Sequence, residues 1–297
     1  MRAALIVNPF ASNVTESRLE LVVRILGEEA ELHVLLTEGR GHARELARTA
    51  AAEADAVVAF SGDGVFNEVV NGVGDGVPVG FIPGGGKNVL PRALGVPQRP
   101  EAAARRVAES LRLGRTRRIS LGSVNGRRFT FAAGIGLDAE LVRRVDALGR
   151  RADGRRPGDL SFALEAVRML GDRGWRYEPA LEVVGFGRAA FAFVANVSPY
   201  TYAAGLPLKV APEASFDAGL DIVAPVRVAP TSVPRLLAFG LLGRGQRAAP
   251  DVLYGHDLDR IEIVCDQPLP LQADGEDLGD VSSAVFEAER AAVAVLA

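Results

Sequence analysis

Short apolar runs alternate with helix-like stretches through the first third of the chain. The predicted strands cover residues 3–8, 31–38, 56–60 and 77–83, and the predicted helices cover residues 15–30, 42–54 and 66–73. Strands that alternate with helices at this spacing pair in parallel through right-handed crossovers. Ligands bind such sheets beyond the carboxyl ends of the strands, so we expect an α/β domain with its binding site at that edge.

The pattern changes after about residue 118, where short strands replace the alternation. Asn125-Gly126 separates two strand-like runs and is typical of a two-residue hairpin turn. Helical insertions are predicted at residues 139–172 and 231–243, and the apolar ending AAVAVLA is expected to return to the first domain. The prediction is therefore an α/β N-terminal domain with a parallel sheet (residues 1–120, with 285–297 returning) and a mainly β C-terminal sandwich domain (residues 121–284).

The composition excludes several classes of protein. The 297 residues carry a formal net charge of −3, which argues against a general nucleic-acid binder. Cys265 is the single cysteine, and His33, His42 and His256 are widely separated, so neither a disulfide framework nor a zinc cluster is expected. No apolar run approaches the roughly 20 residues that span a bilayer. We therefore expect a cytoplasmic protein.

Residues 56–72 read AVVAFSGDGVFNEVVNG, a strand followed by two glycines around Asp63 and then a helix. The glycines allow backbone N–H groups to approach a phosphate closely, and the helix N-terminus favours negative charge there. Asp63 can orient a magnesium ion or a substrate hydroxyl. A structural turn with a solvated aspartate explains the loop alone equally well. The loop is also a near match to the dinucleotide fingerprint G-x-G-x-x-G, a weak pattern by itself.

Two further segments have the composition of a phosphotransfer site. Gly84-Gly85-Gly86 follows a predicted strand and precedes Lys87, which makes a second candidate phosphate cradle; a flexible connector is the alternative. Asp274 and Glu276 flank Gly275 near the C-terminus. Paired carboxylates near phosphates indicate a general base and a metal ligand, whereas an acidic turn is the plainer interpretation.

Six segments, taken together and in order, resemble one known family. SGDGVFNEVVNG (61–72) resembles the signature of the diacylglycerol kinase catalytic domain, in a form similar to that of sphingosine kinases. The other segments are NPFAS (8–12), PGGGKNVLPRAL (83–94), GIGLDAE (134–140), the stretch at 196–223 and ADGE (273–276). The resemblance implies a fold like that of NAD kinases and diacylglycerol kinases. It also implies ATP-dependent phosphorylation of a diacylglycerol- or sphingoid-like hydroxyl, with ATP and Mg²⁺ as cofactors.

The resemblance also implies roles for individual residues. Glu276 is the implied general base, and Asp63 is implied to support magnesium or the lipid hydroxyl. The residues implied to contact ATP are Asn8, Pro9, Ser12, Thr37, Gly62, Asp63, Gly64, Asn67, Glu68, Gly85, Gly86, Lys87 and Asn88. Asp63 and Asp274 are the candidate ligands of a catalytic Mg²⁺.

The sequence departs from the family pattern at three places. Val65 and Gly86 stand where the family has threonines, and Lys87 is a hypothetical substitute that gives charge directly to the phosphates. A structural Mg²⁺ is implied near the segment around residue 218. Its implied ligands are Ser215, Asp217 and Leu220, but Ala218 replaces a second aspartate.

A lipid kinase must meet its substrate at a membrane, so the resemblance implies a lipid partner at the membrane surface, on its inner face. Residues 141–159 carry a cluster of arginines that either meets anionic headgroups or forms a solvated loop. The arginines are Arg143, Arg144, Arg150, Arg151, Arg155 and Arg156. The apolar residues of 231–247 either line an acyl-chain pocket or form a buried core helix.

Two other functions remain open at this point. The first is an NAD kinase-like phosphotransferase acting on a soluble substrate. The second is a non-catalytic nucleotide- or lipid-binding protein, which the two missing threonines favour. Neither the lipid nor the oligomeric state, including a homodimer, follows from the sequence, and no nucleic-acid partner is expected.

Overall fold

The computed structural model describes residues 1–149, 159–203 and 205–297. The chain forms two compact units, Met1–Ser120 with Ala291–Ala297, and Leu121–Arg290. The sequence predicted the return to the first unit at residue 285, but the second unit extends to Arg290. Residues up to Glu287 are still paired with the preceding strand, where Glu287 lies opposite Arg260. The predicted headgroup-binding residues Arg150, Arg151, Arg155 and Arg156 lie outside the described residues.

The first unit contains a parallel sheet and five helices. Its elements are β1 (Arg2–Val7), α1 (Glu16–Gly27), β2 (Glu31–Leu36), α2 (His42–Ala50), β3 (Ala56–Ser61), α3 (Asp63–Gly72), β4 (Val79–Pro83), α4 (Val89–Ala93) and α5 (Pro100–Leu113). The strands are adjacent in the order β4-β3-β1-β2 and all run parallel. All residues of β3 and β4 are buried, as expected for central strands of a parallel sheet.

Local sequence explains how α1 begins and packs. Thr15 caps the helix, because its side-chain oxygen accepts a hydrogen bond from the Arg18 N–H at 3.3 Å. Val22, Ile25 and Leu26 are buried at helical spacing. This face of α1 belongs to the core that also contains buried residues of β1, β3 and α5. Thr15 is therefore the N-cap of α1.

The second unit is mainly β, as predicted, and most of its strands are antiparallel. Its elements are the end of β5 (Thr116–Val124), β6 (Arg127–Phe129), β7 (Ala132–Ile135), α6 (Leu137–Ala147), α7 (Asp159–Asp172), β8 (Leu181–Val183), β9 (Gly187–Ala189), β10 (Ala192–Ala195), β11 (Thr201–Ala203), β12 (Leu206–Leu208), β13 (Leu220–Pro225), α8 (Val233–Leu242), a 3₁₀ turn (Gln246–Ala248), β14 (Val252–Leu258), β15 (Arg260–Ala273) and most of β16 (Glu276–Leu296). Neighbouring strands follow the order β14-β13-β10-β7-β15-β16. Asn125 and Gly126 have φ of 48° and 80°, so they form the predicted hairpin turn between β5 and β6.

Helix α8 differs from its sequence prediction. The apolar residues of 231–247 were expected to line an acyl-chain pocket or to form a buried core helix, but no residue of α8 is buried. Only Val233 and Leu236 pack, half-buried, against a small core that includes Tyr177 and Phe191. The burial prediction is wrong because an apolar composition alone does not specify what covers a helix. No helix among the described residues is long and apolar enough to cross a bilayer.

Candidate active site

The loops after β1, β3 and β4 meet at the carboxyl ends of these strands. Asn8 donates its backbone N–H to a carbonyl of β3 at 3.4 Å. Asn13, five residues later, donates its backbone N–H to the Gly84 carbonyl at 2.8 Å. Pro9 and Ser12, which the family resemblance placed near ATP, are exposed in the same loop. At the edge of the sheet that was expected to bind ligands, the loop after β1 therefore contacts the loop after β4.

The two glycine-rich turns touch each other through their backbones. A Cβ atom added to Gly85 would lie 2.7 Å from the Gly62 Cα, and one added to Gly62 would lie 3.2 Å from the Gly85 Cα. A separation of 2.7 Å is shorter than real Cβ contacts, so the loops can approach this closely only when residue 85 is glycine. The two turns that the sequence predicted as separate phosphate cradles therefore form one surface.

Asp63 connects the same two turns through its side chain. Its Oδ2 accepts a hydrogen bond from the Val89 N–H at 3.0 Å, and its Oδ1 accepts one from the Leu90 N–H at 3.1 Å. These N–H groups lie in the first turn of α4, where backbone N–H groups have no carbonyl acceptor within the helix. Gly64 lies half-buried beside Asp63, and Asn67 is buried one turn further along α3. The carboxylate of Asp63 is therefore held in one orientation at the meeting point of the loops.

Asparagine side chains fix the turn after β4. Asn88, in the left-handed region with φ of 49°, accepts a hydrogen bond from the Gly85 N–H at 2.9 Å and donates to the Gly85 carbonyl at 3.0 Å. Asn13 donates to that carbonyl at 2.8 Å. Asn88 uses the Gly85 N–H, so this N–H group already has a partner within the turn. Gly86 is exposed, and a Cβ added there would meet no described atom within 4 Å.

The sequence singled out most of this turn but missed Asn13. The sequence contained a signal for Asn13, because this residue lies two positions before Thr15. Thr15 caps α1 and so fixes the path of the chain at this point. Nearby, a polar cleft of ≈ 400 Å³ opens beside Asn13. Arg18 and Arg99 both line this cleft, and their positive charges suit an anionic ligand.

Thr37 and Glu68 have structural partners in the same unit. Thr37 is buried and donates its backbone N–H to the Val7 carbonyl at 2.9 Å, which extends the pairing of β1 with β2. Glu68 accepts hydrogen bonds from the N–H groups of Gly41 and Ala43 at 2.9 and 3.0 Å. A carboxylate stabilises the N-terminus of a helix, so these bonds assign Glu68 to the first turn of α2. Its predicted contact with a phosphate stays a prediction.

In the second unit, Asp274 anchors the turn between β15 and β16. Asp274 and Gly275 have φ of 49° and 77°, as a two-residue hairpin turn requires. One carboxylate oxygen accepts from the Thr130 N–H at 2.6 Å and from its hydroxyl at 2.7 Å, and the other accepts from the Phe131 and Ala132 N–H groups at 2.9 and 3.2 Å. Four donors occupy the acceptor sites of the carboxylate. The structure therefore gives Asp274 a structural role in this turn. Its predicted magnesium role stays a prediction.

Glu276, the predicted general base, is the first residue of β16. Its carboxylate forms an ion pair with the guanidinium of Arg127, the first residue of β6. Both side chains are partly accessible, with exposures of 22% for Glu276 and 40% for Arg127. The sequence missed Arg127, although the Asn125-Gly126 turn fixes its position at the start of the strand. The candidate base therefore has a cationic partner that the motif does not contain.

A buried hydrogen-bond network lies behind the same turn. The Tyr200 hydroxyl and the Gln272 amide both donate to Oδ2 of Asp138, the amide at 2.8 Å. The Gln272 carbonyl oxygen accepts from the Gly275 N–H at 2.9 Å, which links the network to the turn before Glu276. Burial raises the pKa of Asp138 to about 6, and the bonds from Tyr200 and Gln272 offset part of that rise. The sequence singled out the segment around Asp138 but not these partners.

The residues implied to hold a structural Mg²⁺ have partners within the chain, and their metal role stays a prediction. The side-chain and main-chain oxygens of Ser215 accept from the N–H groups of Asp217 and Ala218 at 3.4 and 3.1 Å, while Leu220 is buried as the first residue of β13. In the described part of the chain, no group of three or more acidic, His or Cys side chains is placed to hold a metal ion.

A protein cation lies next to this loop. The Gly219 N–H donates to Oδ1 of Asp257 at 2.7 Å, and Arg290 pairs with the same oxygen at 2.8 Å and with Asp259 at 2.7 Å. A Cβ added to Gly219 would lie 2.9 Å from Nη2 of Arg290. The guanidinium of Arg290 therefore supplies the positive charge next to this loop.

Known proteins resemble this chain in sequence and in fold. Residues 2–124 match the diacylglycerol kinase catalytic domain. Through these residues the chain resembles the diacylglycerol kinase catalytic domain family. Among the relatives of this family, a diacylglycerol kinase of Bacillus subtilis is 29% identical over 285 residues, which cover 93% of this chain and 89% of that protein. A sphingosine kinase 1 of Arabidopsis thaliana is 29% identical over 152 residues, 47% of this chain and 31% of that protein.

Solved structures confirm the predicted fold. A diacylglycerol kinase from Bacillus anthracis has a TM-score of 0.73 and 20% identity, with 99% of this chain and 96% of that chain covered. An NAD kinase from Archaeoglobus fulgidus in complex with ATP has a TM-score of 0.52 and 12% identity, with 99% and 93% covered. At these identities the likeness concerns the fold alone, and it agrees with both fold types named by the motif resemblance.

Proposed function

We propose that this protein is an ATP-dependent lipid kinase, which transfers the γ-phosphate of ATP to a diacylglycerol- or sphingoid-like hydroxyl. The family is one of kinases, and its relatives carry the names diacylglycerol kinase and sphingosine kinase. The observation that carries the proposal is the joined surface of the two glycine turns, held together by Asp63. Such a surface is what phosphoryl transfer requires, because that reaction depends mainly on positioning and on neutralising charge.

The first unit supplies the nucleotide side of the proposed site. The exposed turn at Gly86 offers backbone N–H groups to the phosphates, and Lys87 follows it with a positive charge. Asp63 is the residue that fits Mg²⁺, because carboxylate oxygens are preferred ligands of this ion and the α4 N–H groups fix the carboxylate. When bound, Mg²⁺ would offset the charge of the transferred phosphate.

Glu276 is the proposed base. Glu276 takes the proton of the lipid hydroxyl while the hydroxyl oxygen forms a bond to the γ-phosphorus. The bond from that phosphorus to the bridging oxygen breaks, and ADP leaves. Arg127 holds the Glu276 carboxylate before the reaction and is a positioning residue in this scheme. The proposal also locates the protein in the cytoplasm, at the inner face of the membrane that contains the lipid.

A labelling assay tests the proposal. The purified protein is incubated with γ-labelled ATP, Mg²⁺ and a total lipid extract, and wild type is compared with Glu276→Gln. We expect labelled lipid with the wild type and a loss of roughly 10²- to 10⁴-fold with the variant, since that is the usual contribution of a general base. No labelled lipid, or equal labelling by both proteins, contradicts the proposal.

The chain offers a matched control for this variant. Glu289 lies on the same strand and pairs with Arg128 at 2.7 Å, next to the Arg127–Glu276 pair along β6. Glu289→Gln breaks a comparable ion pair without removing the proposed base. We expect it to label lipid at a rate close to that of the wild type.

Two alternatives have specific support. The likeness to an NAD kinase fold favours a soluble acceptor, and adding NAD to the labelling assay tests this directly. Val65 and Gly86, which stand where threonines were expected, favour a non-catalytic nucleotide- or lipid-binding protein. Tight ATP binding without turnover of any acceptor would support that second alternative.

A further inference from the structure

Helix α8 presents apolar side chains to solvent. Leu237, Leu241 and Leu242 are 60%, 48% and 58% exposed, which is high for leucine side chains on a helix. Leu237 and Leu241 are one turn apart and therefore lie on the same side of the helix. Val233 and Leu236 are the residues of α8 that pack against the core beneath it. The exposed leucines thus form a stripe on the outer side of α8.

The strand next to α8 extends this apolar region. Lys209, which follows β12, donates its backbone N–H to the Gly240 carbonyl at 2.6 Å and so joins the strand to the end of the helix. Leu206 of β12 is 59% exposed. We call the four exposed leucines of α8 and β12 the α8 surface; they are Leu206, Leu237, Leu241 and Leu242.

The chain segment that contains α8 carries charges of one sign. Residues 222–250 contain four arginines and no aspartate or glutamate. Three of these arginines have acidic partners, since Arg227 pairs with Glu178 at 3.9 Å, Arg235 with Asp251 and Arg247 with Glu213. In the part of the chain that the structure describes, Arg244 makes no ion pair.

Lys209 adds a second positive charge at the same end of the helix. Its side chain packs on Gly243, the residue that ends α8, because a Cβ added to Gly243 would lie 2.9 Å from the Lys209 Cδ. Lys209 is exposed and makes no ion pair with a described residue. Arg143 and Arg144, which the sequence also offered to headgroups, are instead neutralised by carboxylates. Their partners are Asp277 and Asp280 for Arg143, and Glu140 and Asp172 for Arg144.

We propose that the α8 surface docks onto an anionic phospholipid bilayer. Its leucines enter the interfacial region, and Lys209 and Arg244 meet headgroup phosphates. A second copy of the chain is a poorer partner, because a two-fold contact would bring the same cationic patch of each copy to one interface. The choice of a bilayer rests on the proposed function, since a lipid kinase must take its acceptor from a membrane.

Vesicle sedimentation tests the proposal without any catalytic step. The full chain, without nucleotide, is mixed with phosphatidylcholine vesicles that either contain or lack phosphatidylglycerol. We expect the wild type to bind the anionic vesicles and Leu237→Gln/Leu241→Gln to lose roughly tenfold or more in partitioning. Leu113→Gln is the matched control, because Leu113 is also an exposed helical leucine, 42% accessible, but lies in the first unit. We expect it to bind like the wild type.

A second pair of substitutions tests the electrostatic part. Each basic residue near an anionic surface contributes about 1 kcal/mol, which corresponds to about fivefold in partitioning. Lys209→Gln/Arg244→Gln is therefore expected to bind anionic vesicles roughly 30-fold less tightly and to bind neutral vesicles unchanged. Equal losses on both kinds of vesicle would contradict the headgroup contact.

The outcomes separate this proposal from the proposed function. Vesicle binding that needs the leucines, in a protein that labels no lipid, supports the docking surface and not the kinase. A working kinase whose vesicle binding is untouched by Leu237→Gln/Leu241→Gln overturns the docking surface alone. The docking surface is also overturned if the wild type does not bind vesicles but sediments as a dimer, and Leu237→Gln/Leu241→Gln sediments as a monomer. That result would make a second copy of the chain the partner of the α8 surface.

Discussion

The guanidinium of Arg127 pairs with the carboxylate of Glu276 across the neighbouring hairpin turns of the second unit. The residue that the proposed mechanism uses as a base is therefore oriented by a residue outside every segment of the family resemblance. The ion pair fixes the orientation of the Glu276 side chain. In the proposed reaction, the Glu276 carboxylate must leave Arg127 far enough to accept the proton of the substrate hydroxyl.

This pair predicts a defined kinetic effect. Arg127→Gln is expected to lower kcat roughly tenfold and to leave the KM for ATP unchanged, because Arg127 orients the base and not the nucleotide. Arg127→Lys should recover part of the rate. Arg128→Gln, which breaks the adjacent pair with Glu289, is the control and should keep the wild-type kcat. A rise in the KM for ATP with unchanged kcat would contradict the positioning role.

The contact between the glycine turns predicts a difference in stability between neighbouring substitutions. Gly85→Ala places a Cβ 2.7 Å from the Gly62 Cα and should lower the free energy of unfolding by about 1–3 kcal/mol. Gly86→Ala points into open space and should change it by less than about 0.5 kcal/mol. Urea denaturation of the two variants measures this difference. Equal stabilities would mean that the turns are not in contact.

Lys87 predicts a change in nucleotide affinity. If its charge replaces the hydroxyl groups lost at Val65 and Gly86, Lys87→Ala should raise the KM for ATP roughly tenfold. Lys87→Arg, which keeps the charge, should be closer to the wild type. Steady-state kinetics with varied ATP decide this, and an unchanged KM in Lys87→Ala would remove the compensating role.

Buried Asp138 predicts a pH dependence of stability. Its pKa is about 6 in the folded protein and 3.8 when exposed, so the folded state binds the proton more tightly. Stability is therefore lost as the pH rises from about 4 to about 6, by about 3 kcal/mol in total. Asp138→Asn should lack this loss, so its free energy of unfolding relative to wild type should grow across that range.

Urea unfolding at several pH values measures the effect, and parallel pH profiles for the two proteins would contradict it. A second variant keeps the test independent of how well asparagine fits the site. Tyr200→Phe removes one donor to the Asp138 carboxylate and should raise the pKa of Asp138 further. The loss of stability should then extend to higher pH.

The contact between Arg290 and the loop at Gly219 predicts that this region does not depend on a metal. A chelator should leave the thermal midpoint of the nucleotide-free protein unchanged. Arg290→Gln should lower the midpoint by roughly 2 °C, a small change because the ion pairs of Arg290 are partly exposed. Arg260→Gln, which breaks an exposed pair with Glu287, is the control. A midpoint that rises with Mg²⁺ in the wild type would contradict the prediction.

The fold could be predicted because its signals are local. The parallel strands of the first unit are apolar runs that end at turns, and the Asn125-Gly126 turn follows from the positive φ that these residues tolerate. The position of the candidate site also followed, since loops at the carboxyl ends of parallel strands share one edge of the sheet.

The partners of the site residues could not be predicted, because they are distant in sequence. Asp63 bonds to the start of α4, 26 residues away, and Asp274 bonds to Thr130, 144 residues away. From the motif alone, Asp274 has the residue type of a metal ligand. In the fold, its carboxylate accepts hydrogen bonds from backbone N–H groups and from the Thr130 hydroxyl. Helix α8 was misjudged for a similar reason. Its apolar pattern predicts a helix, but burial depends on what the rest of the chain provides.

Strand β16 has a consequence for the order in which the protein folds. Its 21 residues begin at Glu276 and end in the first unit, where Val295 pairs with Val79 of β4. During synthesis, one edge of β4 therefore stays unpaired until about 200 further residues have been made. An open strand edge invites pairing with other chains. We expect fragments that end near residue 120 to aggregate, because the strand that completes their sheet is added last.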